Sequence, residues 1–291
     1  RGNVGYGANV GSNHTSRLPD QEILPSEGMF FGLGSSIKFP AEYTRSPYTV
    51  ISTGTVTLPQ RVEFPFSLIT QQSKQHGTLS PLYNEIIPAW ILSSNIYSVV
   101  RNESKYRKRN RSRRNDTDFT VFRPEIIDMM ITARDRLKNI SEVKDFYTSS
   151  DIAGTGKNYI TEKNRTDAID AYTFYIRFYA LKLMAHRAGK ILSGNNGIEI
   201  SAVYHDDGEI KYWSHASSVL AAEGLKDLSL KNNFETLMNQ NNIFLSSVYS
   251  SKEKDYIRGN KIIGDYSIYH KPSGEDQFII ELKNSHEIFR W

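Results

Sequence analysis

His14 lies in the string Asn13-His14-Thr15-Ser16-Arg17, with Asp20 and Glu22 a few residues on. An imidazole that titrates near neutrality can take a proton from a hydroxyl or an amine as it attacks a thioester. Asn13, Thr15 and Arg17 have the donors to orient such an acceptor or to hold a phosphate. A carboxylate from Asp20 or Glu22 would fix the tautomer of the ring. The plainer alternative is that Asn13-His14 makes a polar corner turn. General-base chemistry at His14 is the sharper expectation.

A second group of chemistry-bearing residues is the basic run Arg101–Arg114, which holds eight Lys or Arg in fourteen residues. Guanidinium forks match phosphate oxygens, so Arg107 and Arg111 are candidate contacts for the phosphates of coenzyme A or a nucleotide sugar. RNA would use the same chemistry, but no base-reading pattern accompanies the run, and nucleic acid is not expected. Asp116, Asp118 and Glu125 follow closely, so a solvated helix face or a surface for an acidic partner is the favoured reading of the run.

Other constellations carry less. Gly154-Thr-Gly-Lys157 lacks the spacing of a phosphate loop and follows no apolar strand. His205-Asp206-Asp207 with His215 reads as turn chemistry rather than a metal site. Tyr172, Tyr175 and Tyr179, with Phe174 and Phe178, read as the packing face of a helix. There is no Gly-x-Ser-x-Gly elbow, and the chain has no Cys for a thiolate ligand, a disulfide or a nucleophile.

The elements that must position these residues follow from periodicity. Val4 and Val10 are six apart; Phe31, Ile37 and Tyr43 keep the same step, and after a one-residue slip near Pro47 so do Val50, Val56 and Val62. One inward aliphatic every six residues is the period of a parallel β-helix, with Gly and Asn at its corners. The expected architecture is a β-solenoid plus α: β-helix coils over 1–64, a connection over 65–87, and a mainly α-helical extension over 88–291. Residues 15–28 break the rhythm and read as a loop thrown out from a corner. Arg1 falls in mid-repeat and no initiator Met precedes it, so the coils are expected to be the end of a longer solenoid. Helices are expected from Pro88, from Pro124, over about 161–191, over Ser214–Met238, and after a cap at Ser273-Gly274-Glu275-Asp276.

Composition bounds the rest. The 291 residues are 38% hydrophobic and 12% aromatic, with 17 Tyr and 14 Phe, which suits a folded chain. The absence of Cys agrees with a reducing cytosol. No apolar run reaches the length of a membrane span, and no membrane partner is expected.

The string Gly5-Tyr-Gly-Ala-Asn-Val-Gly-Ser-Asn-His-Thr-Ser-Arg17, then Pro19-Asp-Gln-Glu22, resembles a family of long bacterial hexapeptide-repeat proteins of uncharacterised function. So do Gly28-Met-Phe-Phe-Gly-Leu-Gly34, Ile37-Lys-Phe-Pro40, Val62–Leu68, Tyr83–Trp90 and Ala171–Tyr175. The resemblance implies left-handed coils and, through the wider hexapeptide class, a trimer with sites between adjacent prisms. It implies acyl or nucleotidyl transfer on a sugar or sugar-nucleotide, with an acyl-CoA or nucleotide sugar as donor. His14 would then be the base, and Asn13, Arg17, Arg107 and Arg111 would bind substrate or phosphate. The alternative is a non-catalytic oligomerisation scaffold with a helical partner-binding extension.

Overall fold

In the computed structural model, short strands return onto one another through the first seventy residues. The structure describes residues 2–10, 22–114, 117–194, 203, 204, 208 and 210–287. These divide into two units: residues 1–93 with 125–173, and residues 94–124 with 174–291.

In the first unit, Asn3–Val4 (β1), Phe30–Phe31 (β3), Val50–Ile51 (β6) and Leu68–Thr70 (β9) pair side by side in parallel. Ile23–Leu24 (β2), Ala41–Glu42 (β5) and Gln60–Arg61 (β8) form a second parallel sheet. Ser36–Ile37 (β4) and Val56–Thr57 (β7) form a third. The first sheet continues through Asn84–Ile87 (β10), Phe146–Tyr147 (β11) and Asn158–Thr161 (β12) in the order β1-β3-β6-β9-β10-β12-β11. β10 runs antiparallel to β9 and parallel to β12, and β11 is antiparallel to β12.

This corrects the expected fold class. The chain is α/β, with mixed sheets of mostly short parallel strands. It is not a left-handed hexapeptide β-helix that closes at residue 64 and gives way to helices. Residues 68–161 contribute four strands to the same seven-stranded sheet. The strand steps are also not fixed at three sixes. Phe30 pairs with Val50, Ala41 with Gln60 and Val50 with Leu68, which are steps of twenty, nineteen and eighteen residues. The inward positions differ accordingly. Phe31, Ile37, Tyr43 and Val62 are buried as expected, but Val4 is 53% and Val56 48% exposed, and Ile51 and Thr57 point inward instead. The side-chain period along a strand is two, so a slip of one residue exchanges the two faces.

That slip has a local cause. Tyr48 and Phe66 adopt left-handed φ values of 60° and 58°, matching Gly28 at 70°. Tyr48 N–H donates to the Glu27 carbonyl, Phe66 N–H to the Pro47 carbonyl, and the two rings stack at 5.0 Å. Aromatic stacking offsets the strain of these non-glycine turns. The buried hydroxyls of Ser46 and Ser67 bond the Val62 and Phe64 carbonyls at 2.8 and 2.7 Å, so the corners leave these backbone groups satisfied.

Helices complete the unit. Trp90–Ser94 (α1) follows β10, and Pro124–Lys138 (α3) starts at its proline as expected. Glu162–Gly194 (α4) is 33 residues long, and its first turns belong here. The Thr161 hydroxyl accepts from Asn164 N–H at the start of α4. Arg165, 8% exposed, forks onto Glu162 with two bonds of 2.7 Å and gives a third, also 2.7 Å, to the Leu137 carbonyl at the end of α3.

The second unit is helical. It holds Ile96–Arg109 (α2), the remainder of α4, Trp213–Ala222 (α5), Leu230–Ile262 (α6), Tyr266–Tyr269 (α7) and Gln277–Glu287 (α8). The helix expected over Ser214–Met238 is two helices. Gly224, at a φ of 68°, ends the first, and Ser229 caps the second by accepting from Asn232 N–H.

The strand returns make a strict demand at Gly32. A Cβ there would lie 2.5 Å from Thr53 N and 2.6 Å from the Ser52 carbonyl carbon, both backbone atoms. Gly32→Ala is therefore expected to destabilise the protein by about 3 kcal/mol. Gly77→Ala, which meets open space, should leave the melting temperature nearly unchanged. Thermal unfolding followed by circular dichroism compares the two; equal melting temperatures would contradict this packing.

Candidate functional site

The rings that read in sequence as a packing face do pack. Phe178 lies 5.2 Å from Phe244 of α6, and Tyr175 stacks on Phe122 at 5.2 Å. They do not close the helical unit completely. A cavity of about 670 Å³ remains between α2, α4, α6 and α8, with Tyr212 at its edge. Its walls are mainly apolar: Val100 from α2, Phe178 and Leu183 from α4, Phe244 from α6, and Phe278 and Leu282 from α8, joined by Phe122.

Five charged residues line it. Arg107 is committed to Glu103 at 2.7 Å and to the Thr120 hydroxyl at 3.0 Å. Lys108 is committed to Glu281 at 2.5 Å. Lys182 has no carboxylate within ion-pair distance among the described residues, and its ammonium lies 5.3 Å from the Phe178 ring centroid. Burial pushes this amine below the usual lysine range, with the Glu103 charge acting weakly in the opposite direction.

One turn before Lys182, Tyr179 lines the cavity, and its hydroxyl shares a 3.0 Å hydrogen bond with His215 Nδ1 from α5. The far wall is tied to α2 at two places. The Tyr97 hydroxyl donates to Asp276 Oδ2 at 2.9 Å, just before α8, and the Lys108–Glu281 pair lies one turn into it. Burial, and then the hydrogen bond to Asp276, push the Tyr97 phenol up to about 12. The other Asp276 oxygen accepts from Ile279 N–H at 3.2 Å and caps α8.

The residues singled out from sequence fall elsewhere. Asn13, His14, Arg17 and the Asp20 carboxylate lie outside the described residues, as do His205, Asp206 and Asp207. Arg107 lines the cavity, but its guanidinium is already occupied. Arg111 lies beyond Asn110, which ends α2, and is exposed with Arg109, Arg113 and Arg114. The structure therefore does not gather the basic run into one phosphate cradle. Gly154-Thr-Gly-Lys157 is a structural turn whose Lys157 N–H donates to Gln60 Oε1 at 3.0 Å. Among the described residues, no group of three or more His, Asp or Glu is placed to hold a metal. None of their helices is long and apolar enough to cross a membrane.

Sequence reasoning missed Lys182 and the Tyr179–His215 pair. The available signal was a polar residue on the apolar stripe: Lys182 follows Tyr179 by three, on the face that carries Tyr172, Tyr175 and Phe178.

A second polar cluster lies in the first unit. Glu85, 5% exposed, accepts from Ser73 Oγ at 2.5 Å, Asn164 Nδ2 at 2.8 Å and the Tyr159 hydroxyl at 3.3 Å. His76 packs its ring against Phe146 and Tyr159. These bonds fasten the 71–83 loop to β10, β12 and the start of α4.

No protein-family model matches the chain, which removes the support for its resemblance to hexapeptide-repeat proteins. No solved structure matches it. An uncharacterised protein of Treponema pallidum (strain Nichols) is 29% identical over 127 residues, which is 43% of this chain and 16% of that protein.

The lowered pKa of Lys182 has a thermodynamic sign. Between its folded pKa and the ordinary 10.5, the unfolded chain binds more protons than the folded one, so stability rises with pH across that window. Lys182→Met is expected to raise the melting temperature at pH 7 and to flatten its rise toward pH 10. Melting temperatures of the two proteins over pH 6–10 check this; a destabilised variant with an unchanged slope would refute the desolvated amine.

Proposed function

We propose that the helical unit binds a small, mainly apolar molecule with its polar end toward Lys182. The observation that carries the reading is this amine, set without a carboxylate partner in an aromatic-walled cavity where the other charges are paired. A volume of about 670 Å³ is in the ordinary range for small-molecule sites. Apolar walls supply affinity, and one half-buried polar group orients the occupant.

Acyl or nucleotidyl transfer at His14 is a separate proposal that rests on residues outside the described ones. The homo-oligomer, with a trimer favoured, is likewise a proposal. The observation that favours self-association is an exposed apolar run: Ile257, Ile262, Ile268 and Tyr269 are 59, 77, 73 and 76% exposed. A second copy of the chain would cover these side chains. Ile262→Asp with Ile268→Asp should then lower the mass measured by light scattering, whereas an unchanged mass would place any self-association elsewhere.

The binding reading is tested with two-ring probes of differing polarity: 2-naphthalenemethanol, 2-naphthoate and naphthalene. Calorimetric titration should show one site per chain. Leu282→Glu, on the half-buried wall, is expected to weaken binding of the alcohol roughly tenfold, about 1.4 kcal/mol. The alcohol should bind more tightly than naphthalene, and Lys182→Met should reduce that difference. Absence of binding for all three probes would overturn the reading.

A further inference from the structure

Resting on this reading of the cavity, we infer that Lys182 is a carbonyl-capturing amine and that the polar end of the occupant is an aldehyde or ketone, held as an imine on Nζ. Three features of the site point the same way. First, Lys182 is the lining cation without a carboxylate to hold its proton, whereas Arg107 and Lys108 are each paired. A cavity built only to bind an anion would be expected to favour the charged amine. Here the amine sits in an apolar wall, 5.3 Å from the Phe178 ring centroid, whose attraction for a cation acts against the effect of burial. Burial shifts the amine toward its neutral, nucleophilic form, as in lysines that form Schiff bases.

Second, aromatic walls flank the amine on the side where an imine would otherwise meet bulk water. Phe178, Phe244 and Phe278 converge on the cavity from three helices. Third, the dehydration step needs a proton donor, and one lies along the same helix face. Tyr179 lines the cavity, and its hydroxyl shares a hydrogen bond with His215 Nδ1 at 3.0 Å.

The chemistry balances without an outside reagent. The Nζ lone pair attacks the carbonyl carbon, forming a C–N bond while the C=O π pair moves to oxygen. The amine proton passes to that oxygen and gives the carbinolamine. A proton delivered from the Tyr179–His215 pair lets the C–O bond break, and the oxygen departs as water. Loss of the remaining nitrogen proton back to the pair leaves the neutral imine. Tyr179 acts here as the proton donor and Lys182 as the nucleophile.

Reductive trapping tests this on the full chain. The protein is incubated with 2-naphthaldehyde and sodium cyanoborohydride, digested and mapped by mass spectrometry. In parallel, binding of 2-naphthalenemethanol, which has the same shape and no carbonyl, is measured by titration. The expected result is one naphthylmethyl adduct, at Lys182, formed roughly ten times faster than at any surface lysine. Lys182→Arg should abolish this adduct. If circular dichroism shows that the arginine variant is unfolded, Lys182→Met replaces it. Tyr179→Phe should slow trapping at Lys182. Binding of the alcohol with adducts spread over surface lysines, or with Lys182 unlabelled, would overturn the imine and leave the cavity reading standing. Failure of the alcohol to bind would remove both.

Discussion

The buried fork of Arg165 onto Glu162 is the interaction on which the first unit most depends. A guanidinium 8% exposed is tolerable only when its donors are matched, and here two go to one carboxylate and a third to the Leu137 carbonyl. The same Glu162 accepts from the Tyr147 hydroxyl at 2.6 Å. One ion pair thus joins the end of α3, the start of α4 and the short strand β11. The Arg165 hydrogen bonds first, and then the Tyr147 hydroxyl, hold the Glu162 carboxyl below the usual range. Glu63 is a lesser version of the same device, held between Arg61 and Arg136.

The helix that begins at this pair also carries the chemistry of the second unit. Tyr172 and Tyr175 are buried along it, while Tyr179 and Lys182 face a cavity. A long amphiphilic lysine is suited to such a place. Its stem lies along apolar walls, and its nitrogen sits 5.3 Å from the Phe178 ring centroid. Aromatic rings set at tilted angles leave more space than aliphatic chains would, which is how so apolar a region comes to hold a cavity of about 670 Å³.

Much of the helical pattern was legible because its signals are local. Pro124 opens α3, the apolar steps from Ile169 to Met184 mark α4, and Asp276 within the expected cap closes on Ile279 N–H. The strands were less legible. A six-residue spacing placed Val50 and Val56 inward, but the left-handed turn at Tyr48 shifts the phase, and Ile51 and Thr57 take those positions. No local residue preference announces such a turn, because it depends on Tyr48 stacking on Phe66, eighteen residues away. The strand Asn158–Thr161 was hidden for the same reason, since its partner is Asn84–Ile87. The candidate site escaped because motif reasoning weighs rare residues and dense charge. Lys182 is one lysine among aromatics, and its character comes from residues on four different helices.

Asp276 links a helix cap to a wall of the cavity, and this has a kinetic consequence. One of its oxygens begins α8, and the other takes the Tyr97 proton from α2. Fraying the first turn of α8 and parting that wall from α2 are therefore one event rather than two. An occupant behind Phe278 and Leu282 would exchange at the pace of this opening, on the microsecond-to-millisecond scale of helix-end motions. The strength of this single carboxylate contact would then be felt in residence time more than in affinity.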